Sequence, residues 1–314
     1  MGLRLLQLLE PPQRRHGLRR RMPSVIDYTC FRFRAEVDWL ELEVSTKRPT
    51  NFSAVRRRAG VRHVTALDLG TGEPLPKGRE NAACSRFRFR VQEPSNWESI
   101  DGTLAALDRT VGFAAAPLVT AIEISLDAYH LSHDQSALVS LAAHFYRFNT
   151  SPASDNRRFG GQFVGGASGT GTADTVIRRL GEGRVLNVGN ASDDRSQRIY
   201  FKATDERQPL PFNERRARYE NTLRCVGELI PAVDFWKAFD FCSLADLYRF
   251  RRLRVGLTPL EDKSSGAVDQ LGARRERKRR EGGTRLYSRL TEADTELNRR
   301  AYDALRELRR RWRS

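Results

Sequence analysis

The chain of 314 residues has no apolar run approaching the roughly 18 to 20 residues that a membrane-spanning helix needs. Its N-terminal "LRLLQLL" is too short for a secretory core, and Glu10, Pro11 and Pro12 end it. Cysteine is scarce. Cys30, Cys84, Cys225 and Cys242 show no C-x-x-C spacing, which speaks against a zinc site or a disulfide frame and for reduced thiols in the cytoplasm. The glycine-rich "FGGQFVGGASGTGT" has no Lys-Ser/Thr pair after it, so a nucleotide P-loop is not expected. Histidine is also sparse, and no strand carries a His-hydrophobic-His pair. His130 and His133 read as structural or incidental. No Ser/His/Asp or Cys/His arrangement can be argued from spacing, and no internal repeat is evident.

Positive charge is what the chain has in excess. The net charge is +16 with a pI near 10.4. Residues 1–22 carry +5 and residues 257–314 carry +6, so the ends hold most of it. Basic arms of this kind suit nucleic-acid binding better than general solubility. Residues 1–24 read as a disordered basic leader, and Met22 is a second candidate start. Residues 257–285, rich in Ser, Gly and charge and including "RRERKRR", read as a disordered basic linker. Residues 286–314 read as an amphipathic, arginine-rich helix. Thr291 is its expected cap, with Asp294 three residues on. Leu297, Ala301, Leu305, Leu308 and Trp312 form its apolar stripe, which would dock on the body or on a second copy in a homodimer.

The body, residues 25–256, alternates in several places. "AEVDWLELEV" sets Leu40, Leu42 and Val44 against Glu41 and Glu43. "HVTALDL" and "SRFRFRVQ" predict a hairpin, with Phe87, Phe89 and Val91 inward. Helices are predicted in "NWESIDGTLAALDRTVG", "SHDQSALVSLAAHFYRF" and "ADTVIRRLG", and from about Ser243 to Leu253. The expected class is α+β, a mainly antiparallel curved sheet flanked by helices with its site on the open face.

Three groups of residues invite a chemical reading. In "TAIEISLDAY", a strand puts Glu123, Ser125 and Asp127 on one face, a pattern that suits either a solvated face or oxygen ligation of a divalent cation. "RARYENTLR" places Arg216, Arg218 and Glu220 together, as a polar site on a concave sheet or an edge strand would. "RIYFK" sets Tyr200 between Arg198 and Lys202, which fits an exposed strand face or a tyrosine that attacks phosphate.

In order along the chain, "VDWLELEV", "VTAIEISLDAY" and "VGNASDDRSQRIYFK" followed by "RARYENTLR" resemble the replication initiation factor family of rolling-circle plasmids and filamentous phages. The resemblance covers roughly residues 25–255. It implies nicking and rejoining of one DNA strand at a replication origin through a phosphotyrosyl link. Tyr200 would be the nucleophile, Glu123 and Asp127 ligands of Mg²⁺ or Mn²⁺, and Glu220 a further acid near the metal. Arg198 and Lys202 would favour the phenolate, and Arg195, Arg216 and Arg218 would contact DNA. The implied partners are the origin, its single-stranded nick region and a host helicase. The chain departs from the family in its glycine turn, where Asn190, Ala191 and Ser192 precede two aspartates, and at Phe201, where the family has an acid. The competing readings are a non-catalytic DNA-binding regulator on the same scaffold, a nicking enzyme for mobile-element transfer, and an RNA-binding protein that stacks bases on "SRFRFRV".

Overall fold

The computed structural model describes residues 26–59, 63–76, 83–154, 156–159, 162–163, 173–205, 207–225, 232–256 and 290–313. The expected leader and linker fall outside these residues, as does most of the glycine-rich segment.

Alternation in the long strands generates the sheet. β1 (Phe31–Thr50), β3 (Cys84–Gln92), β4 (Leu118–His130), β8 (Arg195–Lys202) and β11 (Arg216–Arg224) form its centre. The short strands β2 (His63–Ala66), β5 (Arg157–Phe159), β6 (Gln162–Phe163) and β7 (Leu186–Val188) extend it to nine strands, in the order β2-β3-β1-β4-β11-β8-β7-β5-β6. Every pairing in it is antiparallel. A small hairpin, β9 (Thr204–Asp205) with β10 (Gln208–Pro209), fills the connection from β8 to β11.

One face of the sheet is apolar. Leu40, Leu42, Phe87, Phe89, Ile122, Ile124, Ile199 and Tyr219 are all at most 2% exposed and belong to one core. The helices α1 (Phe52–Ala59), α2 (Trp97–Val111), α3 (Gln135–Phe148), α4 (Ala173–Gly181) and the short α5 (Val233–Lys237) accompany the sheet. Asn96 caps α2 through the Ser99 amide, and Asp134 caps α3 through the amides of Ser136 and Ala137. Gly112, with φ of 66°, ends α2 where an L side chain would be strained.

Two expectations near the C-terminus need correction. Residues 243–253 are not one α-helix. A 3₁₀ helix covers Phe241–Tyr248, and β12 (Arg251–Leu253) then pairs with β13 (Thr291–Ala293). Thr291 therefore sits in a strand and is no cap. Asp294 takes that place, accepting from the Leu297 amide ahead of α6 (Thr295–Arg313). The predicted stripe of α6 is buried on the body. Trp312 packs edge-on against Trp97 and Phe241, at 4.9 and 5.6 Å between ring centroids. Buried Asp294 also accepts from Tyr28 at 2.5 Å and lies 3.3 Å from His144, tying the C-terminal helix to the start of the described chain. Among the described residues no helix is long and apolar enough to cross a membrane.

Candidate active site

Side chains on the other face of the central strands meet in cross-strand rows. Arg218 of β11 pairs with Asp127 of β4 on one side and Tyr200 of β8 on the other. The next row holds Ser125, Glu220 and Arg198, and the one after it Glu123, Thr222 and Ser196. Three strands thus bring these residues together, although 75 residues of chain separate Glu123 from Arg198.

Tyr200 donates its phenol hydrogen to Glu220 Oε1 at 2.6 Å. Arg198 reaches both neighbouring acids, with Nη2 at 2.7 Å from Glu123 Oε1 and Nε at 2.6 Å from Glu220 Oε2. Glu123 is also held by Trp39 Nε1, which donates to Oε1 at 2.7 Å, and by Thr222 Oγ1, which donates to Oε2 at 2.6 Å. Arg218 grips Asp127 with two hydrogen bonds of 2.6 and 2.5 Å and extends Nη1 to Asp38 Oδ2 at 3.1 Å.

Burial sets the electrostatics. It pushes the Tyr200 phenol well above its usual range, and the Glu220 charge adds to this against the pull of Arg218 and Arg198. Arg198 acts in the expected direction, toward the phenolate, and burial outweighs it. Lys202 is turned to Asp205, 3.0 Å away. Glu220 is raised by its burial, which outweighs the opposing charge of Arg198 and is reinforced by Glu123. Asp38 is raised for the same reason, with Arg218 opposing and Glu220 reinforcing.

The predicted residues separate into three groups. Tyr200, Glu220, Arg198 and Glu123 form a chain of contacts in that order. Asp127 joins Arg218 and Arg216, with Arg216 Nε at 3.1 Å, and stays outside the acid group. Arg195 belongs to the helix-facing side, where it bonds Asn221 Oδ1 and the carbonyl of Ser151. Sequence reasoning missed Asp38. One of its oxygens comes together with one each of Glu123 and Glu220, the three within 4.8 Å of one another. Strict alternation would turn Asp38 to the core beside Leu40. A register shift between Val37 and Trp39 lets Asp38 and Trp39 both serve the open face. The signal available was an aspartate at a core position of an otherwise alternating strand.

No family model and no curated protein matches the chain. Among solved structures, a rolling circle replication initiator protein from Geobacillus stearothermophilus is similar at 12% identity, over 76% of this chain and 98% of its own length. The TM-score is 0.34, a likeness too slight to carry an argument about either fold or chemistry.

The acid group suits a hard divalent cation, which takes carboxylate oxygens. Glu220 Oε2 is buried and accepts no hydrogen bond of good geometry, despite the nearby Arg198 Nε. Burial holds two of the three acids, Asp38 and Glu220, above their ordinary range, and the neighbouring acids reinforce it.

Proposed function

We propose that this chain is a rolling-circle replication initiation protein, of the replication initiation factor type, that nicks and rejoins one DNA strand. The observation that carries the reading is the 2.6 Å hydrogen bond from Tyr200 to Glu220, beside the oxygens of Asp38 and Glu123. A nucleophile, a base and an acid cluster on one open sheet face are the parts that phosphoryl transfer to a tyrosine requires.

In this reading Tyr200 Oη attacks the phosphorus of a backbone phosphodiester. The phenol gives its proton to Glu220, the Tyr200–phosphorus bond forms, and the bond from phosphorus to the 3′ oxygen breaks. That oxygen takes up a proton and leaves a 3′-hydroxyl able to prime synthesis. Glu220 suits the role because burial raises its carboxylate toward the pH at which it accepts a proton efficiently. Arg218, held rigid by Asp127, and Arg198 offer planar guanidiniums to the charge that builds on the phosphate oxygens. Asp38 and Glu123, with Glu220 beside them, would hold Mg²⁺ or Mn²⁺, which would polarise the phosphate.

One observation favours a second reading, a DNA-binding regulator without catalysis. Arg198 bridges Glu123 and Glu220, so a protein cation already stands between two of the three acids. Covalent trapping separates the two readings. The nickase forms a denaturation-resistant adduct with single-stranded DNA when Mg²⁺ or Mn²⁺ is supplied, and Tyr200→Phe forms none. A regulator binds DNA and forms no adduct under any metal.

A further inference from the structure

Next to the row of Asp127, Arg218 and Tyr200 lies another that the proposed chemistry does not use. Arg32 of β1 pairs in register with Tyr129 of β4, and Arg216 of β11 pairs with Lys202 of β8. Arg216 joins the two pairs, because its guanidinium lies 5.7 Å from the centroid of the Tyr129 ring. The Arg32 guanidinium lies 5.0 Å from the same centroid. Three cations and one phenol thus cross four strands.

Their state suits an anion. Cation–π contact holds both guanidiniums in place without neutralising them. Arg32 is exposed. Arg216 Nε is buried and makes no well-formed hydrogen bond, although Asp127 Oδ2 is 3.1 Å away. Asp127 is shared, since Arg218 already takes both its oxygens. Lys202 meets Asp205, whose side chain is half exposed.

We propose that Arg32, Tyr129, Arg216 and Lys202 bind a backbone phosphate of single-stranded DNA, the one next to the phosphate that Tyr200 attacks. Rows on one sheet face repeat every two residues, about 6.8 Å apart. An extended strand presents successive phosphates at a comparable interval, so a strand running along the β-strand direction meets both rows. The assignment of the neighbouring position rests on the nicking reading; the affinity of the row for single-stranded DNA does not.

The test uses the full chain carrying Tyr200→Phe, which cannot react, and a fluorescein-labelled 20-residue oligothymidylate. Arg32→Ala is expected to weaken binding roughly tenfold at 0.1 M salt, the loss of one charge-assisted contact. It should also flatten the slope of log K against log salt by about 0.7. Arg32→Lys should recover part of the loss. Tyr129→Leu, which keeps every charge but removes the ring, should weaken binding several-fold. Arg178→Ala on α4 removes the same charge from a site paired with Glu182 and serves as control. The proposal is overturned if Arg32→Ala and Arg178→Ala behave alike, or if the loss appears only on duplex DNA or only on oligouridylate. Adduct formation by the unmodified chain on a randomised oligonucleotide pool reports separately on the nicking reading. An adduct with no Arg32 effect would sink the row alone, and an Arg32 effect with no adduct would sink the nickase alone.

Discussion

Replacing Glu220 by glutamine separates catalysis from stability. The amide has nearly the same size, and its oxygen can still accept from Tyr200, now 2.6 Å from Oε1. It cannot take the phenol proton. Loss of a general base typically costs about 10²- to 10⁴-fold in rate. The fold should respond the other way. Glu220 is raised above its ordinary 4.5, so its charged form is less favourable in the folded protein than in the unfolded chain. The variant removes that burden at neutral pH and relieves the repulsion on Asp38, for which Glu220 is a raising cause. Arg198 keeps Glu123, and Arg218 keeps Asp127 and Asp38, so neither cation is stranded. The expected result is a melting temperature equal to or above that of the parent, with adduct formation slower by at least about a hundredfold. Single-turnover adduct formation and a thermal melt at pH 7.5 measure both. A melt lowered by more than about 4 °C, some 1 to 2 kcal/mol for a domain of this size, would mean that Glu220 holds the site together. An unchanged rate would remove it as the base.

The remaining expectations follow from the same geometry. Tyr200→Phe should abolish the adduct and leave duplex binding nearly intact; an adduct that persists would point to Tyr129, a second tyrosine on this face. Asp38→Asn and Glu123→Gln should raise the Mg²⁺ or Mn²⁺ concentration needed for nicking, read by metal titration. Asp127→Asn should leave that titration in place and cost about 3 to 5 kcal/mol in denaturant unfolding, because buried Arg218 loses its bidentate partner. Lowering the pH toward 4.5 should slow nicking as Glu220 takes up a proton, while the contribution of Glu220 to stability rises over the same interval. A pH–rate profile flat across that range would refute the assignment. Ending the chain before Leu290 should abolish the cooperative melt, since Leu297, Leu305 and Leu308 of α6 are at most 1% exposed.

Much of the central sheet was legible because its signal is local. Phe87 and Phe89 alternate with Arg86 and Arg88, and the stretch is a strand with the phenylalanines in the core. The starts of α2 and α3 are set by side chains within a few residues of the helix, Asn96 and Asp134, and such caps can be read directly. The C-terminal connections were not legible. Arg251–Leu253 pairs with Thr291–Ala293 across nearly forty residues of chain, and nothing in either triplet names the other. Thr291 and Asp294 are both good caps, and tertiary pairing rather than propensity chose between them.

The same distinction runs through the site. Spacing placed Glu123 and Asp127 on one face, and both are there. Spacing could not assign them different partners, because that depends on which arginine the adjacent strand presents. Arg218 stands beside Asp127, and Arg198 lies within reach of Glu123. Asp38 was hidden by one extra residue in β1. The shift between Val37 and Trp39 puts two consecutive side chains on the open face, Asp38 toward Arg218 and Trp39 toward Glu123. A strand without it could offer that face only one of the two. Deleting the irregularity would turn every open-face side chain on one flank to the core. The bulge is therefore what completes the acid group, and a chain lacking it would keep Tyr200 on Glu220 but have only two of the three acids.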